Sequence, residues 1–249
     1  MDADRLDILK VKLDNLTVQS AVRSAVDFVD RNPKGTLFFL NLDCLAKAQK
    51  DEEYRKVLNS SPLVLPDGIG LKLAAALFGR RVKENCNGTD FSPLLMSELT
   101  KQGYNVFLLG GQEGVAEKAA EVLRARIPGI RIAGTHHGYF ESDDAMIEEI
   151  NRSGADILFV AMGVPLQEKW IYRNREKLDP RLCLGVGALF DWLSGRHQRS
   201  PLLLRRMNLE WLWRIAIEPR RMSKRYLVYG LGFFLSLLVY RLRRQTRYG

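Results

Sequence analysis

In the stretch "PDGIG" a single carboxylate, Asp67, stands between a proline and two glycines. Glycines let the backbone come close to a ligand, and a carboxylate held there can take a proton as a general base. On these residues alone Asp67 would serve equally well as the N-cap of a following helix. Four other stretches place polar side chains at similar turns. "NLDCLAKAQ" carries Asn41 and Asp43; Asp43 reads as a helix cap and Asn41 stays open. "GGQEGVAEK" carries Gly110, Gly111, Glu113 and Gly114, a partial form of the glycine turn that seats phosphate on helix N-terminal amides. It lacks the full GxGxxG spacing, so it points to nucleotide or phosphate and no further. "GVPLQEKW" carries Gly163, Gln167 and Lys169. Gln suits a base amide or a sugar hydroxyl and Lys suits a phosphate, although Glu168 and Lys169 read equally as a solvated helix face. "GALFDWLSGRHQ" carries Asp191, which could accept from a ribose or a base, or pair with Arg196.

Metal and nucleophile motifs are not evident. His136 and His137 are adjacent, so their side chains diverge on a strand, and no Cys or carboxylate follows at ligand spacing. The DxD of Asp2-Ala3-Asp4 sits at the very N-terminus, a poor place for a metal–diphosphate clamp. GxSxG and the phosphate-binding GxxxxGK[ST] are absent. The expectation is an enzyme without a metal cofactor.

Short apolar runs precede each of these turns: 36–42, 63–65, 105–110, 130–134, 156–162 and 182–187. Stretches with helical spacing lie between them, at 43–58, 68–79, 113–127 and 165–178. Buried-type strands alternating with helices predict an α/β fold, a Rossmann-like, mainly parallel sheet. Ligands of such sheets bind beyond the carboxyl ends of the strands, where the polar residues stand.

The net charge is +9, but after residue 195 thirteen Lys and Arg face only Glu210 and Glu218. The first 195 residues therefore balance at −2, and the basicity belongs to the tail. We place a catalytic domain at 1–195 and a basic helical appendage at 196–249. A basic block beside an apolar run suggests an anionic membrane surface, not nucleic acid. The uncharged run Tyr226–Tyr240 would make a helix of roughly 22 Å, short of the about 20 residues a span requires. Surface attachment is the first expectation, a short tilted span the second and an oligomer contact the third. Cys44, Cys86 and Cys183 form no CxxC pair, which predicts free thiols in a reducing compartment. The N-terminus has no apolar signal-peptide core, so export of the body is not expected.

Read in order, "PDGIG", "NGTD", "FLLGG", "GYF", "VAMGVPLQEKW", "GVGALFDWLSG", "RSP", "LEWLWR" and "EPRR…RY" resemble the WecG/TagA/CpsF family of bacterial glycosyltransferases. The similarity runs from the first strand to Tyr226. The resemblance implies metal-independent, inverting transfer from a UDP-sugar to a sugar on a polyprenyl diphosphate. The setting would be the cytoplasmic membrane face, in wall teichoic acid or surface polysaccharide synthesis. It also implies that Asp67 is the catalytic base and that Asn41 and Gln167 contact the nucleotide-sugar. Asp90 of "NGTD", with Gly110, Gly111, Glu113, Gly163, Lys169 and Asp191, would complete that site. Arg214, Arg220, Arg221 and Arg225 of the appendage would face diphosphate. Two positions depart from the family pattern. Asn85 stands where many members have Arg, and Phe39 where Thr is common. Against this reading stand a nicotinamide-dependent oxidoreductase using the 105–114 turn and a non-catalytic membrane scaffold.

Overall fold

The computed structural model describes residues 5–31, 34–201, 203–204, 207, 209–223 and 230–248. Six parallel strands form its central sheet: β3 (Gly35–Leu40), β4 (Leu63–Pro66), β5 (Asn105–Gly110), β6 (Arg131–His136), β7 (Ile157–Ala161) and β8 (Leu182–Gly185). Their spatial order is β4-β3-β8-β7-β5-β6. β3, β4, β7 and β8 are buried at every position, which is why they read as unbroken apolar runs and not as alternating strands. All six expected runs are strands, within a residue or two at their ends.

Helices cover both faces. One face holds α1 (Val18–Arg31), α5 (Gly88–Lys101), α6 (Val115–Arg126) and α9 (Leu189–Leu193). The other holds α2 (Leu42–Lys50), α3 (Glu52–Ser60), α4 (Ile69–Leu77), α7 (Asp143–Arg152) and α8 (Leu166–Asn174). The helix after β8 therefore leaves toward one face while those after its neighbours β3 and β7 leave toward the other. Such partings open a crevice at the carboxyl edge.

The structure departs from the sequence expectation in three places. The stretch 43–58 is two helices, because Asp51 leaves the helical region (φ −120°, ψ 100°) and its carboxylate caps Tyr54 N–H at the start of α3. Asn41, not Asp43, caps α2 by accepting from Cys44 N–H at 3.0 Å; Asp43 pairs with Lys47 one turn on. An antiparallel hairpin, β1 (Arg5–Ile8) and β2 (Val11–Asp14), precedes the sheet. It turns through Leu9 and Lys10 at φ 53° and 65°. Its last residue, Asp14, is 1% exposed and holds both Arg5 (2.8 Å) and the Val64 N–H (2.7 Å). That contact fixes β4, the strand leading into Asp67.

After residue 195 the described chain packs back on the domain through helices Glu210–Ile217, Pro219–Ser223 and Leu231–Tyr248. The last lies against α4, with Leu237 buried and Phe233 packed on the same core. Leu231, Leu235 and Val239, four residues apart on one face, stay exposed. Among the described residues no helix is long and apolar enough to cross a membrane. Tyr226, Tyr229, Arg225 and Asp2 to Asp4 lie outside the described residues, as does the side chain of Arg221.

Candidate functional site

The carboxyl edge gathers the expected residues into a row. In the β3–β4 register Leu40 faces Pro66, so Asn41 and Asp67 leave adjacent strands side by side, at a strand spacing of about 4.8 Å. The Asp67 N–H donates to Leu40 C=O at 2.8 Å, which ties the two strand ends together. Asp67 is not the N-cap of α4: the cap position is Gly68, at φ 87°, which has no side chain to bond the first helical amides. The N-cap reading therefore fails, and the carboxylate is held half-exposed at the strand mouth.

At the other end, Gly110 faces Ala161 across β5 and β7, and a Cβ on Gly110 would lie 2.4 Å from Ala161 O. Glycine is required there by contact as well as by its φ of 137°. The Gly111 N–H donates to Ala161 C=O, and the Gly111 C=O accepts from Gly138 N–H of "GYF". That turn is locked into the neighbouring loops. Glu113 and Gly114 stand exposed at the entrance to α6. Asp67 and this turn are four strand spacings apart, about 19 Å. The separation suits an extended ligand whose two ends meet different loops.

The helix starts along this edge differ in a consistent way. Asn41, Asp51, Asn87 and Ser142 cap α2, α3, α5 and α7 with their side chains. α4, α6, α8 and α9, which follow β4, β5, β7 and β8, have no side-chain cap. Uncapped N-terminal amides and the positive ends of four helix dipoles favour an anionic ligand.

Gln167 and Lys169 have partners other than those expected. Gln167 is 1% exposed. Its Oε1 accepts from Gly163 N–H (3.1 Å) and Gly187 N–H (3.0 Å), and its Nε2 donates to Glu168 Oε1 (2.7 Å). It is a strut between the β7–α8 and β8–α9 turns, and Gly163 is shaped by it. Lys169 Nζ pairs with Asp51 (2.7 Å) and Glu53 (2.8 Å), tying α8 to the start of α3. The hydrogen bonds it donates to those carboxylates raise its pKa and lower theirs. Glu168 is no solvated face: it is fully buried, and burial pushes its carboxyl from 4.5 up to about 7.

That burial has a measurable consequence. The folded state keeps the Glu168 proton up to about pH 7, while the unfolded chain releases it near 4.5. Stability is therefore fully present below pH 4.5 and falls as pH rises to 7, by about 3 kcal/mol. The Glu168→Gln variant is expected to lack this slope. Urea midpoints measured from pH 4 to 8 on both proteins check it.

Asp191 lies 3.9 Å from Arg196. Asp90 is paired with Arg199 of "RSP" at 2.7 Å, a residue the sequence reading had not picked out. Asn87 Nδ2 donates to Glu210 at 3.3 Å, His197 faces Glu218 at 3.5 Å, and Arg214 lies over the Trp192 ring at 4.9 Å. The chain after residue 195 thus meets the start of α5 and Trp192 of α9, and Arg220 is exposed. Phe39 is 7% exposed and edge-on to Phe91 at 5.6 Å, so it packs beneath the site. The three cysteines are buried free thiols, Cys44 and Cys86 pushed up to about 12 and Cys183 to about 11 by burial. His136 and His137 line a separate cleft of about 430 Å³ with Tyr139 and Glu149.

Similar proteins give this edge a context. A family model described as "Glycosyl transferase WecG/TagA/CpsF family" matches residues 6–247. A Bacillus subtilis (strain 168) protein is 31% identical over 212 residues, 83% of each chain. A Bacillus spizizenii protein is 30% identical, over 78% of this chain and 76% of its own. One from Staphylococcus aureus (strain MRSA252) is 29% identical, over 88% and 87%. All three are named N-acetylglucosaminyldiphosphoundecaprenol N-acetyl-beta-D-mannosaminyltransferase. With a match over nearly its whole length, the chain belongs to the WecG/TagA/CpsF family of glycosyl transferases.

Proposed function

We propose that this glycosyltransferase moves a hexose-type sugar from a UDP-sugar onto a sugar carried by a polyprenyl diphosphate, with inversion and without a metal. The relatives' names support N-acetylmannosamine as the sugar moved and N-acetylglucosaminyl-diphospho-undecaprenol as the acceptor, and we assign UDP-N-acetylmannosamine as the donor. The observation that carries the reading is Asp67: a carboxylate at the mouth of β4, beside Asn41, that is not the N-cap of the helix following it.

Asp67 takes the proton of the acceptor hydroxyl as that oxygen bonds to the anomeric carbon. The bond from that carbon to the UDP oxygen breaks on the opposite face, and one displacement inverts the centre. The departing diphosphate gains negative charge. The uncapped starts of α6 and α9 and the appendage arginines Arg214 and Arg220 are the groups we assign to it, with Arg221 and Arg225 further along the same segment. Asn41 has its Oδ1 on the α2 cap, which leaves its Nδ2 to donate to the donor sugar. Gln167 holds the middle of the site in shape from beneath.

The acceptor is a lipid, and the appendage suits a membrane surface. Its last helix docks on α4, the helix that starts at the Asp67 turn, and turns Leu231, Leu235 and Val239 outward. A basic, one-sided apolar helix lies in the headgroup plane. We place the enzyme on the cytoplasmic face of the membrane by this route.

A thermal-shift series with UDP, UDP-sugars and NAD in EDTA tests the donor assignment. A ligand at 100 times its Kd adds about 2.7 kcal/mol, which raises Tm by roughly 5–10 °C for a domain of this size. UDP and one UDP-sugar should shift the protein. A shift with NAD alone would overturn the assignment in favour of a dehydrogenase.

A further inference from the structure

Among the described residues three hydrogen bonds anchor the backbone of the turn that presents Asp67, and one of them is to a side chain. Pro66 C=O accepts from Cys86 N–H at 2.8 Å, and Asp67 N–H donates to Leu40 C=O at 2.8 Å. Both are backbone bonds that survive substitution. The third is Gly68 N–H donating to Asn85 Oδ1 at 2.7 Å. Because the donor is a backbone N–H, the oxygen of the Asn85 amide must face it, which settles the orientation of the side chain. Gly68 needs such a hold. It sits at φ 87° and ψ 156°, a conformation only glycine enters readily, and glycine leaves it as readily.

The loop carrying Asn85 is itself braced. Asn15, 3% exposed, donates from Nδ2 to Arg81 C=O (3.1 Å) and accepts from Lys83 N–H at Oδ1 (2.8 Å). Glu84 accepts from Val18 N–H at 2.8 Å, at the start of α1, and Cys86 is buried. Residues 81–86 are therefore fixed at several points to the hairpin end and α1. Asn85 passes that rigidity to one amide, the one directly after Asp67.

We infer that Asn85 is a positioning residue: its Oδ1, bonded to the Gly68 N–H, sets the place of the Asp67 carboxylate against the acceptor hydroxyl. This rests on the general-base reading of Asp67. A hydrogen bond that aims a reacting group matters through geometry, since a misplacement of about 1 Å is worth about 10²-fold in rate.

The test is a double-mutant cycle on the full chain, with transfer measured at saturating donor and acceptor. Asn85→Ala in the wild-type background should lower kcat by about 10²-fold, with both KM values changed less than about threefold. In an Asp67→Asn background the same substitution should change kcat little, because the group it aims is gone. Equal losses in the two backgrounds, or a loss carried by KM alone, would overturn the inference. So would full activity of Asn85→Ala. Amide hydrogen exchange at Gly68 gives a readout free of catalysis. Protection should fall in Asn85→Ala and persist in Asn85→Asp, which keeps an acceptor oxygen in the same place. Unchanged exchange in Asn85→Ala would also overturn it. A wild-type protein that transfers no sugar would instead refute the proposed function, and the exchange result would then decide alone whether Asn85 holds the turn.

Discussion

Asp67→Asn is expected to reduce sugar transfer by about 10²–10⁴-fold, the usual contribution of a general base. UDP-sugar affinity should hardly change. Asparagine keeps the size and shape of the side chain but cannot take the acceptor proton. The fold should tolerate it, because the substitution is isosteric and the backbone bonds of its turn, to Leu40 and Cys86, remain. Turnover measured beside donor affinity and Tm separates the three effects. Loss of turnover with unchanged binding and Tm assigns the base and excludes a non-catalytic scaffold. Full turnover would remove Asp67 from the chemistry.

Gln167→Ala is expected to have the largest effect on stability, about 3–5 kcal/mol. It removes a side chain of which only 1% is exposed. The Gly163 and Gly187 N–H groups and Glu168 Oε1 all lose their bond. Against a total stability of about 5–15 kcal/mol this is a substantial fraction. The loss should be present without ligand, as a lower urea midpoint of the unliganded protein. A residue whose role was confined to touching the nucleotide would leave that midpoint where it was. Gly185 closes the same arrangement from below, since a Cβ there would meet Gln167 Nε2 at 2.9 Å.

The parallel sheet was legible because four of its strands, β3, β4, β7 and β8, are buried at every position and read as apolar runs, and because glycine, proline or acidic turns follow the strands. Asp67 was found for the same reason: "PDGIG" interrupts such a run. Whether it capped a helix was not legible, since that depends on Gly68 taking the cap position. The first hairpin escaped because Leu9 and Lys10 turn it at positive φ without the glycine or asparagine that marks such turns. Asp51 looked like one more polar residue on a helix face, and only its extended backbone shows the break. The partners of Lys169, Asp90 and Asn85 lie 17 to 118 positions away. Local spacing carries no information on such pairs. The burial of Glu168 was not legible because its neighbours Gln167 and Lys169 are also polar, and burial of two successive polar residues, Gln167 and Glu168, has no periodic signature.

The central claim is tested most directly by incubating the full chain with UDP-N-acetylmannosamine and N-acetylglucosaminyl-diphospho-undecaprenol in vesicles, with EDTA present. The account predicts release of UDP, a lipid-linked disaccharide joined through an inverted anomeric centre, and at least a 10²-fold slower reaction for Asp67→Asn. Retention of configuration, a requirement for divalent metal, or equal rates in wild type and Asp67→Asn would contradict it.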